Sequence, residues 1–193
     1  MVTMRWYLVR HAASDIADGT VCGATDVSIR PPNKARIAHL RQQLPQQAHT
    51  YVSGLQRTQQ TMALLNPDRP PVVLPDMNEQ HFGLWEGRTW SDIGDEGATF
   101  WSDPATHCPP EGESFATVCQ RVCRCLDRLE HHDTYQDILM VIHAGTIRAI
   151  LKEALQLTPM NALRFSIASL GLTRLTSYHS ADGIQWSVES VNL

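Results

Sequence analysis

The chain has 193 residues, of which 42% are hydrophobic and 19% are charged. This is the composition of an ordinary globular protein of about one domain, and it excludes a disordered or collagen-like chain. Lys and Arg number 16 against 20 Asp and Glu, so the formal net charge is −4. We expect no nucleic-acid partner, because a nucleic-acid surface needs a basic stripe. We expect no membrane partner either, because no stretch reaches the roughly 20 apolar residues that span a bilayer.

The amino terminus and the cysteines bear on the cellular compartment. The first six residues do not open a long apolar region that ends in a cleavage site, so we predict no secretory signal. The five cysteines are therefore expected to be reduced thiols in a cytoplasmic protein. Three of them, Cys119, Cys123 and Cys125, crowd into one segment. A zinc site there is an alternative, but no Cys-x-x-Cys pair is present and burial as small apolar side chains is favoured.

The predicted elements alternate between strands and helices along the chain. Short apolar runs predict strands at residues 6–9, 50–53, 72–74 and, most clearly, 137–143. Apolar residues spaced three and four apart predict a helix capped by Asn33 that carries Ile37, Leu40 and Leu44, a helix over 55–65, a helix that begins at Ser114, and a helix over 146–155. Residues 76–112 are irregular and contain Trp85, Trp90 and Trp101. After Arg164, strand-like segments flank an Asp182-Gly183 hairpin signal.

This order predicts an α/β fold with a mostly parallel sheet flanked by helices and a late antiparallel addition. In such sheets, binding and catalytic groups gather at the carboxyl ends of the strands. Arg10 and His11 close the first predicted strand, and His143 closes the strongest one. Arg57 and Arg148 also lie close to strand ends. Several cations at one sheet edge suit a doubly charged phosphate, and a neutral imidazole among them is a competent nucleophile.

Five ordered segments resemble the histidine phosphatase superfamily, the phosphoglycerate mutase-like group. Residues 8–12 resemble its Leu-x-Arg-His-Gly signature, and residues 53–61 its Ser-x-Leu-x-Arg-Ala-x-x-Thr segment. The other three segments are the Glu-containing block at 78–87, the Gly-Glu-Ser at 112–114 and the second histidine region at 141–145. Any one of these is weak evidence, whereas five in order are strong.

The resemblance implies a three-layer phosphoglycerate mutase-like fold and a phosphohistidine mechanism. His11 would attack phosphorus, while Arg10, Arg57 and His143 would hold the phosphoryl oxygens. Glu79 would protonate the leaving oxygen and then activate water. The resemblance implies no cofactor and no metal, because the cationic side chains take the place of Mg²⁺.

Three positions depart from the family pattern. Ala12 and Ala13 stand where the family usually has Gly and then Glu after the nucleophile. Ala17 stands where many members have an Asn, which removes one phosphate contact. None of the predicted core positions is lost, so we predict an active enzyme.

The resemblance implies a single domain over residues 1–193, with a cap-like insertion at about 76–112. The segments at 22–26, 82–87 and 135–141 look most like the α-ribazole-5′-phosphate phosphatases, which predicts that phosphate ester or a similar small phosphorylated metabolite as substrate. The alternatives are a broad sugar-phosphate phosphatase, a phosphoglycerate mutase-like enzyme, a non-catalytic phospho-ligand module and a metal hydrolase. The C-terminal strands either form a homodimer edge or are covered by the chain itself.

Overall fold

The computed structural model describes residues 2–132 and 136–193, so Tyr135 in one of the segments above lies outside it. The strands are β1 (Val2–Arg10), β2 (His49–Val52), β3 (Val72–Val73), β4 (Asp137–Ile142), β5 (Leu172–Ser180) and β6 (Gly183–Ser190). The helices are α1 (Lys34–Gln42), α2 (Gln56–Leu65), α3 (Trp90–Ile93), α4 (Ala98–Ser102), α5 (Phe115–His132), α6 (Ala144–Ala154) and α7 (Pro159–Ala162). Single 3₁₀ turns occur at Pro75–Met77, Gly83–Trp85 and Gly94–Gly97.

The strands form one sheet in the order β3-β2-β4-β1-β5-β6. The four strands from β3 to β1 are parallel to one another, whereas β5 pairs with β1, and β6 with β5, in antiparallel fashion. The predicted α/β class, with a mostly parallel sheet and an antiparallel C-terminal addition, is confirmed. The Asp182-Gly183 hairpin is also confirmed, since it joins β5 to β6.

Both faces of the central strands are buried, which is why β4 is apolar at every position after Asp137. Ile138, Met140 and Ile142 point to a core cluster shared with α5 and α6. Leu139 and Val141 point to a second cluster shared with α1 and α2. A strand alternates its side chains between faces, so a continuous apolar run indicates helices on both sides. The result is a three-layer arrangement.

Several predicted boundaries shift because tertiary hydrogen bonds extend or cut the local pattern. β1 begins at Val2 rather than at residue 6, because its first residues pair with β5. α1 is capped by the Asn33 side chain as predicted, but it ends at Gln42, so Leu44 lies beyond it. α6 begins at Ala144 rather than at 146, because the Thr146 hydroxyl accepts from the His143 N–H and the first turn forms directly after β4.

Residues 75–102 contain only short helices and turns. Val21, Trp85, Ile93 and Phe100 form a small separate core there, with Phe82 packed against it. That this stretch acts as a cap over the substrate stays a prediction. Cys119 and Cys125 belong to the buried core cluster, in agreement with the interpretation as buried apolar side chains, whereas Cys123 is only partly buried. Among the described residues, no helix combines the length and the apolar character needed to cross a membrane.

Candidate active site

The two histidines named above lie side by side at the carboxyl edge of the sheet. β1 and β4 are parallel neighbours, and Arg10 is opposite Ile142 in their register. The next residue of each strand is therefore His11 or His143, and their rings meet with centroids 4.9 Å apart at 64°. The His11 N–H donates to the Ile142 carbonyl at 3.0 Å, which ties the two strand ends together. Both histidines are buried.

Two contacts assign the tautomer of His11. Its Nδ1 lies 2.6 Å from the Ala12 carbonyl oxygen, which can only accept, so Nδ1 carries the proton. Arg57 Nε donates to His11 Nε2 at 3.3 Å, so Nε2 has the lone pair. Both contacts require the same neutral ring. The nitrogen that faces the arginine is thus the nucleophilic one.

Burial and positive charge keep both rings neutral. Desolvation, followed by Arg57, lowers the pKa of His11 from 6.5 to about 3, while the bond to Ala12 works in the opposite direction. Burial also holds the pKa of His143 well below its ordinary value, with smaller contributions from His11 and the nearby arginines. A neutral imidazole is the form that can attack an electrophile.

Arg57 is completely enclosed and touches more than the nucleophile. It lies in the first turn of α2, and its Nη1 and Nη2 donate to the carbonyls of Thr25 and Gly23, at 2.7 Å each. Each Nη therefore keeps one further N–H. The guanidinium holds the loop around Gly23 against His11, a role that the sequence did not indicate.

The same loop is held from the other side by a carboxylate. Glu86, whose side chain is 10% exposed, accepts from the Ala24 N–H at 2.8 Å and from the Phe82 N–H at 2.9 Å. It also accepts from the Thr25 hydroxyl. A chain of contacts thus runs from Glu86 through the loop and Arg57 to the nucleophile.

His143 is bound on one ring nitrogen only. Its Nε2 lies 2.8 Å from Ser53 Oγ, which in turn lies 3.0 Å from Thr58 Oγ1. The Leu55 carbonyl takes the Thr58 hydroxyl proton at 2.8 Å, so the Ser53 proton is available to His143. His143 Nδ1 is buried and has no hydrogen-bond partner among the described residues.

Glu79 reaches the amino end of α6. Both carboxylate oxygens accept from the Gly145 N–H, Oε1 at 3.1 Å and Oε2 at 3.2 Å. Oε1 also accepts from the Gln80 N–H at 3.0 Å. Helix amino termini stabilise negative charge, which explains why a carboxylate rests there. A Cβ at position 145 would lie 2.2 Å from Glu79 Oε1, so glycine is required by this approach.

Two further arginines face the site and are anchored to carbonyl groups. Arg10 Nη1 donates to the Ile167 carbonyl at 2.5 Å, and Arg148 Nε donates to the Phe165 carbonyl at 2.8 Å. Burial lowers the pKa of both guanidinium groups, whereas the nearby Glu79 charge raises it. Arg148 does not pair with a carboxylate within 4 Å in the described part of the chain, and Nε is the atom it uses for its hydrogen bond.

These groups surround a cavity of about 240 Å³. Its lining is Arg10, His11, Ser14, Thr20, Val21, Cys22, Gly23, Arg57, Glu79, Gln80, Phe82, Trp90, Phe115, Gly145, Arg148 and Leu163. A larger cavity of about 890 Å³ lies at the opposite ends of β2 and β4, and it shares no lining residue with the first. His143 is fully buried behind His11 and does not itself line the cavity. The convergence of His11, three arginines and a carboxylate identifies the smaller cavity as the candidate active site.

The departures from the family pattern have distinct structural consequences. Ala12 is not among the described non-glycine residues with positive φ, so its Cβ causes no backbone strain. Its N–H donates to Thr61 Oγ1 at 3.0 Å. Ala17 is exposed and does not line the cavity, whereas Ser14 does. Ser14, Ser53 and Glu86 were not singled out from the sequence, because their significance depends on contacts with distant segments.

Comparison with known proteins agrees with this geometry. The model of the histidine phosphatase superfamily, branch 1, matches residues 6–192. The adenosylcobalamin/alpha-ribazole phosphatase of Escherichia coli is 32% identical over 157 residues, which is 77% of each chain. A 2,3-bisphosphoglycerate-dependent phosphoglycerate mutase of Gloeobacter violaceus is 29% identical over 147 residues, 70% of this chain and 66% of the relative.

Among solved structures, the alpha-ribazole phosphatase of Shigella flexneri superposes with a TM-score of 0.81 at 26% identity, covering 98% of this chain and 96% of that one. The chain therefore belongs to the histidine phosphatase superfamily. The predictions of this family, of its fold and of a phosphatase are confirmed.

Proposed function

We propose that this chain hydrolyses small phosphomonoesters through a phosphohistidine on His11, and that α-ribazole 5′-phosphate is its substrate. The observation that carries the reaction is the neutral His11 ring, with Nδ1–H bound to Ala12 and the Nε2 lone pair facing the cavity-lining Arg57. The Escherichia coli and Shigella flexneri relatives, both named as alpha-ribazole phosphatases, support the substrate.

In the first step, His11 Nε2 attacks phosphorus and the ester P–O bond breaks. Glu79 enters this step protonated, with the proton that it takes from water in the preceding turnover, and gives it to the leaving alkoxide. Oε2 is the oxygen available for that proton because Oε1 accepts a further bond from Gln80. The guanidinium groups of Arg10 and Arg57 offset the charge on the phosphoryl oxygens. When Ser53 donates to His143 Nε2, Nδ1 carries the proton and becomes a free donor for a phosphoryl oxygen.

In the second step, the Glu79 carboxylate takes a proton from water, and the resulting hydroxide forms a bond to phosphorus. The P–N bond breaks, inorganic phosphate leaves and the lone pair returns to Nε2. His11 is again neutral, as its lowered pKa requires. Three arginines line the cavity, so the positive charge needed for both steps comes from side chains, and we expect turnover to persist after exhaustive chelation.

The experiment is acid and alkaline quenching after mixing with a phosphate ester labelled at phosphorus. Phosphohistidine survives alkali and is lost in acid, so the label should remain on the protein only after the alkaline quench. His11→Asn should carry none, while His39→Asn, an exposed histidine on α1, should label like the wild type. Label that persists in His11→Asn would refute the nucleophile, and binding of the ester with no turnover at all would favour the non-catalytic alternative.

A phosphoglycerate mutase-like activity is the second candidate, and one observation favours it. The Arg148 side chain lines the cavity, and only its Nε is bound among the described residues, so its two Nη groups could bind a substrate carboxylate. The comparison of kcat/KM for α-ribazole 5′-phosphate and 3-phosphoglycerate separates the two candidates. A higher value for 3-phosphoglycerate would overturn the proposed substrate and leave the phosphohistidine step intact.

A further inference from the structure

The residues that line the cavity are of two chemical kinds. The groups around His11 are charged, as described above. Val21, Phe82, Trp90 and Leu163 are apolar and also line the cavity. We call Phe82 and Trp90 the aromatic wall. A phosphoryl group needs only the charged groups, so the aromatic wall is available to the group that leaves.

Trp90 is held in place although much of it is open. Trp90 is 36% exposed, which is high for a tryptophan that contacts two other aromatic rings. Its ring centroid lies 5.7 Å from that of Phe82 and 5.0 Å from that of Trp101, both in edge-to-face geometry. The aromatic wall is therefore pre-organised, and a ligand would lose little entropy in ordering it.

The backbone fixes Trp90 as firmly as its neighbours do. Trp90 is the first residue of α3, where Thr89 and Asp92 form a reciprocal capping box. Its N–H donates to the Gly19 carbonyl at 3.2 Å, which joins α3 to the loop on the other side of the cavity. Trp101, on α4, is still more exposed at 53%, but it does not line the cavity. Of these two tryptophans, Trp90 is thus the one that is held rigidly and also lines the cavity.

The remaining groups near the aromatic wall limit what it can bind. Glu79 is the only carboxylate that lines the described cavity, and the aliphatic side chains of Val21 and Leu163 offer no hydrogen bonds. A volume of about 240 Å³ is at the small end for ligand sites, so the cavity suits a small phosphate ester. A flat, apolar ring attached through a short sugar to the phosphate matches the surface of the aromatic wall.

We propose that the aromatic wall is a specificity site that stacks on a planar aromatic base carried by the leaving group. Trp90 is the residue that selects an ester whose leaving group carries such a ring. This inference rests on the proposed phosphatase function and adds the chemical reason why one phosphate ester is preferred over another. Stacking on an aromatic side chain corresponds to about a 5- to 20-fold gain in kcat/KM at a partly exposed position.

The test compares two esters that differ only in the base. One is α-ribazole 5′-phosphate, and the other is methyl α-riboside 5-phosphate, which has the same phosphate and sugar with a methoxy group in place of the base. For the wild type, kcat/KM should be higher for the ribazole ester by about 5- to 20-fold. Trp90→Ala should abolish most of this ratio, and Trp90→Phe should retain most of it because a planar ring remains.

Leu84→Ala is the matched control, since it removes an exposed apolar side chain from the same segment without changing the cavity lining or a ring contact of Trp90, and its ratio should equal that of the wild type. Equal losses for both esters in Trp90→Ala, or a wild-type ratio near one, would overturn the inference. Binding of dephosphorylated α-ribazole, measured by calorimetry for the wild type and Trp90→Ala, provides a readout without turnover. If neither ester is hydrolysed, the proposed function fails. In that case the role of Trp90 is still tested, because weaker binding of α-ribazole by Trp90→Ala than by the wild type would support it and equal binding would refute it.

Discussion

Acidification should destabilise the wild-type protein more than a His11→Asn variant. The buried His11 ring has a pKa of about 3 in the folded state, against an ordinary value of 6.5 that applies to the unfolded chain. Between these two values, the unfolded state binds a proton that the folded state does not. Stability from this source is thus complete above pH 6.5 and is lost as the pH falls towards 3.

The size of this stability loss is set by the pKa of His11 in the unfolded chain, because its pKa in the folded state is well below the assay pH. The assay at pH 5 is about 1.5 units below the pKa of the unfolded histidine, and each unit stabilises the unfolded state by about 1.4 kcal/mol. His11 alone should therefore reduce the free energy of unfolding by about 2 kcal/mol between pH 7.5 and pH 5. Asn has no proton to gain in this range, and its amide can still donate to the Ala12 carbonyl.

The assay is urea denaturation of both proteins at pH 7.5 and pH 5, in a buffer free of phosphate. Other titrating groups, including His143, contribute to both proteins and cancel in the difference. The wild type should lose about 2 kcal/mol more than His11→Asn over this interval. Equal losses in the two proteins would show that His11 is protonated in the folded state at pH 5, and the argument for a neutral nucleophile would then be wrong.

Three substitutions test the other contacts of the site. A lysine at position 57 cannot reach Gly23, Thr25 and the nucleophile together, so Arg57→Lys should lower kcat/KM by roughly 10²–10³-fold. The factor should be similar for every phosphomonoester. A loss confined to one ester would place Arg57 at the leaving group. Glu79→Gln should slow hydrolysis of sugar phosphates by roughly 10²–10⁴-fold. It should slow phosphorylation of His11 by p-nitrophenyl phosphate much less, because p-nitrophenolate leaves without a proton. Equal slowing of both reactions, measured in stopped-flow bursts, would exclude the acid role. Glu86→Ala should lower the free energy of unfolding by about 2–4 kcal/mol in urea titrations, because bonds from two loops lose their acceptor; an unchanged midpoint would contradict this.

The sequence alone was sufficient for features that depend on neighbouring residues and on general sheet topology. The apolar run of β4 and the spacing along α5 predicted buried elements, because alternation and helical periodicity are local properties. The positions of His11 and His143 at strand ends followed from the same patterns. Parallel strands place their carboxyl ends at one edge, so the meeting of these two histidines was predictable although they are 132 positions apart in the sequence.

The tertiary structure decided the state of each group in the site. The lone pair on His11 Nε2 faces Arg57, a residue 46 positions away, and the placement of Glu79 depends on an N–H of α6, 66 positions away. No local pattern encodes such distances, because they follow from how α2, α6 and the intervening loops pack on the sheet. Trp90 has the same origin: the sequence showed a tryptophan in an irregular segment, and only the edge-to-face contacts and the bond to Gly19 turn it towards the cavity.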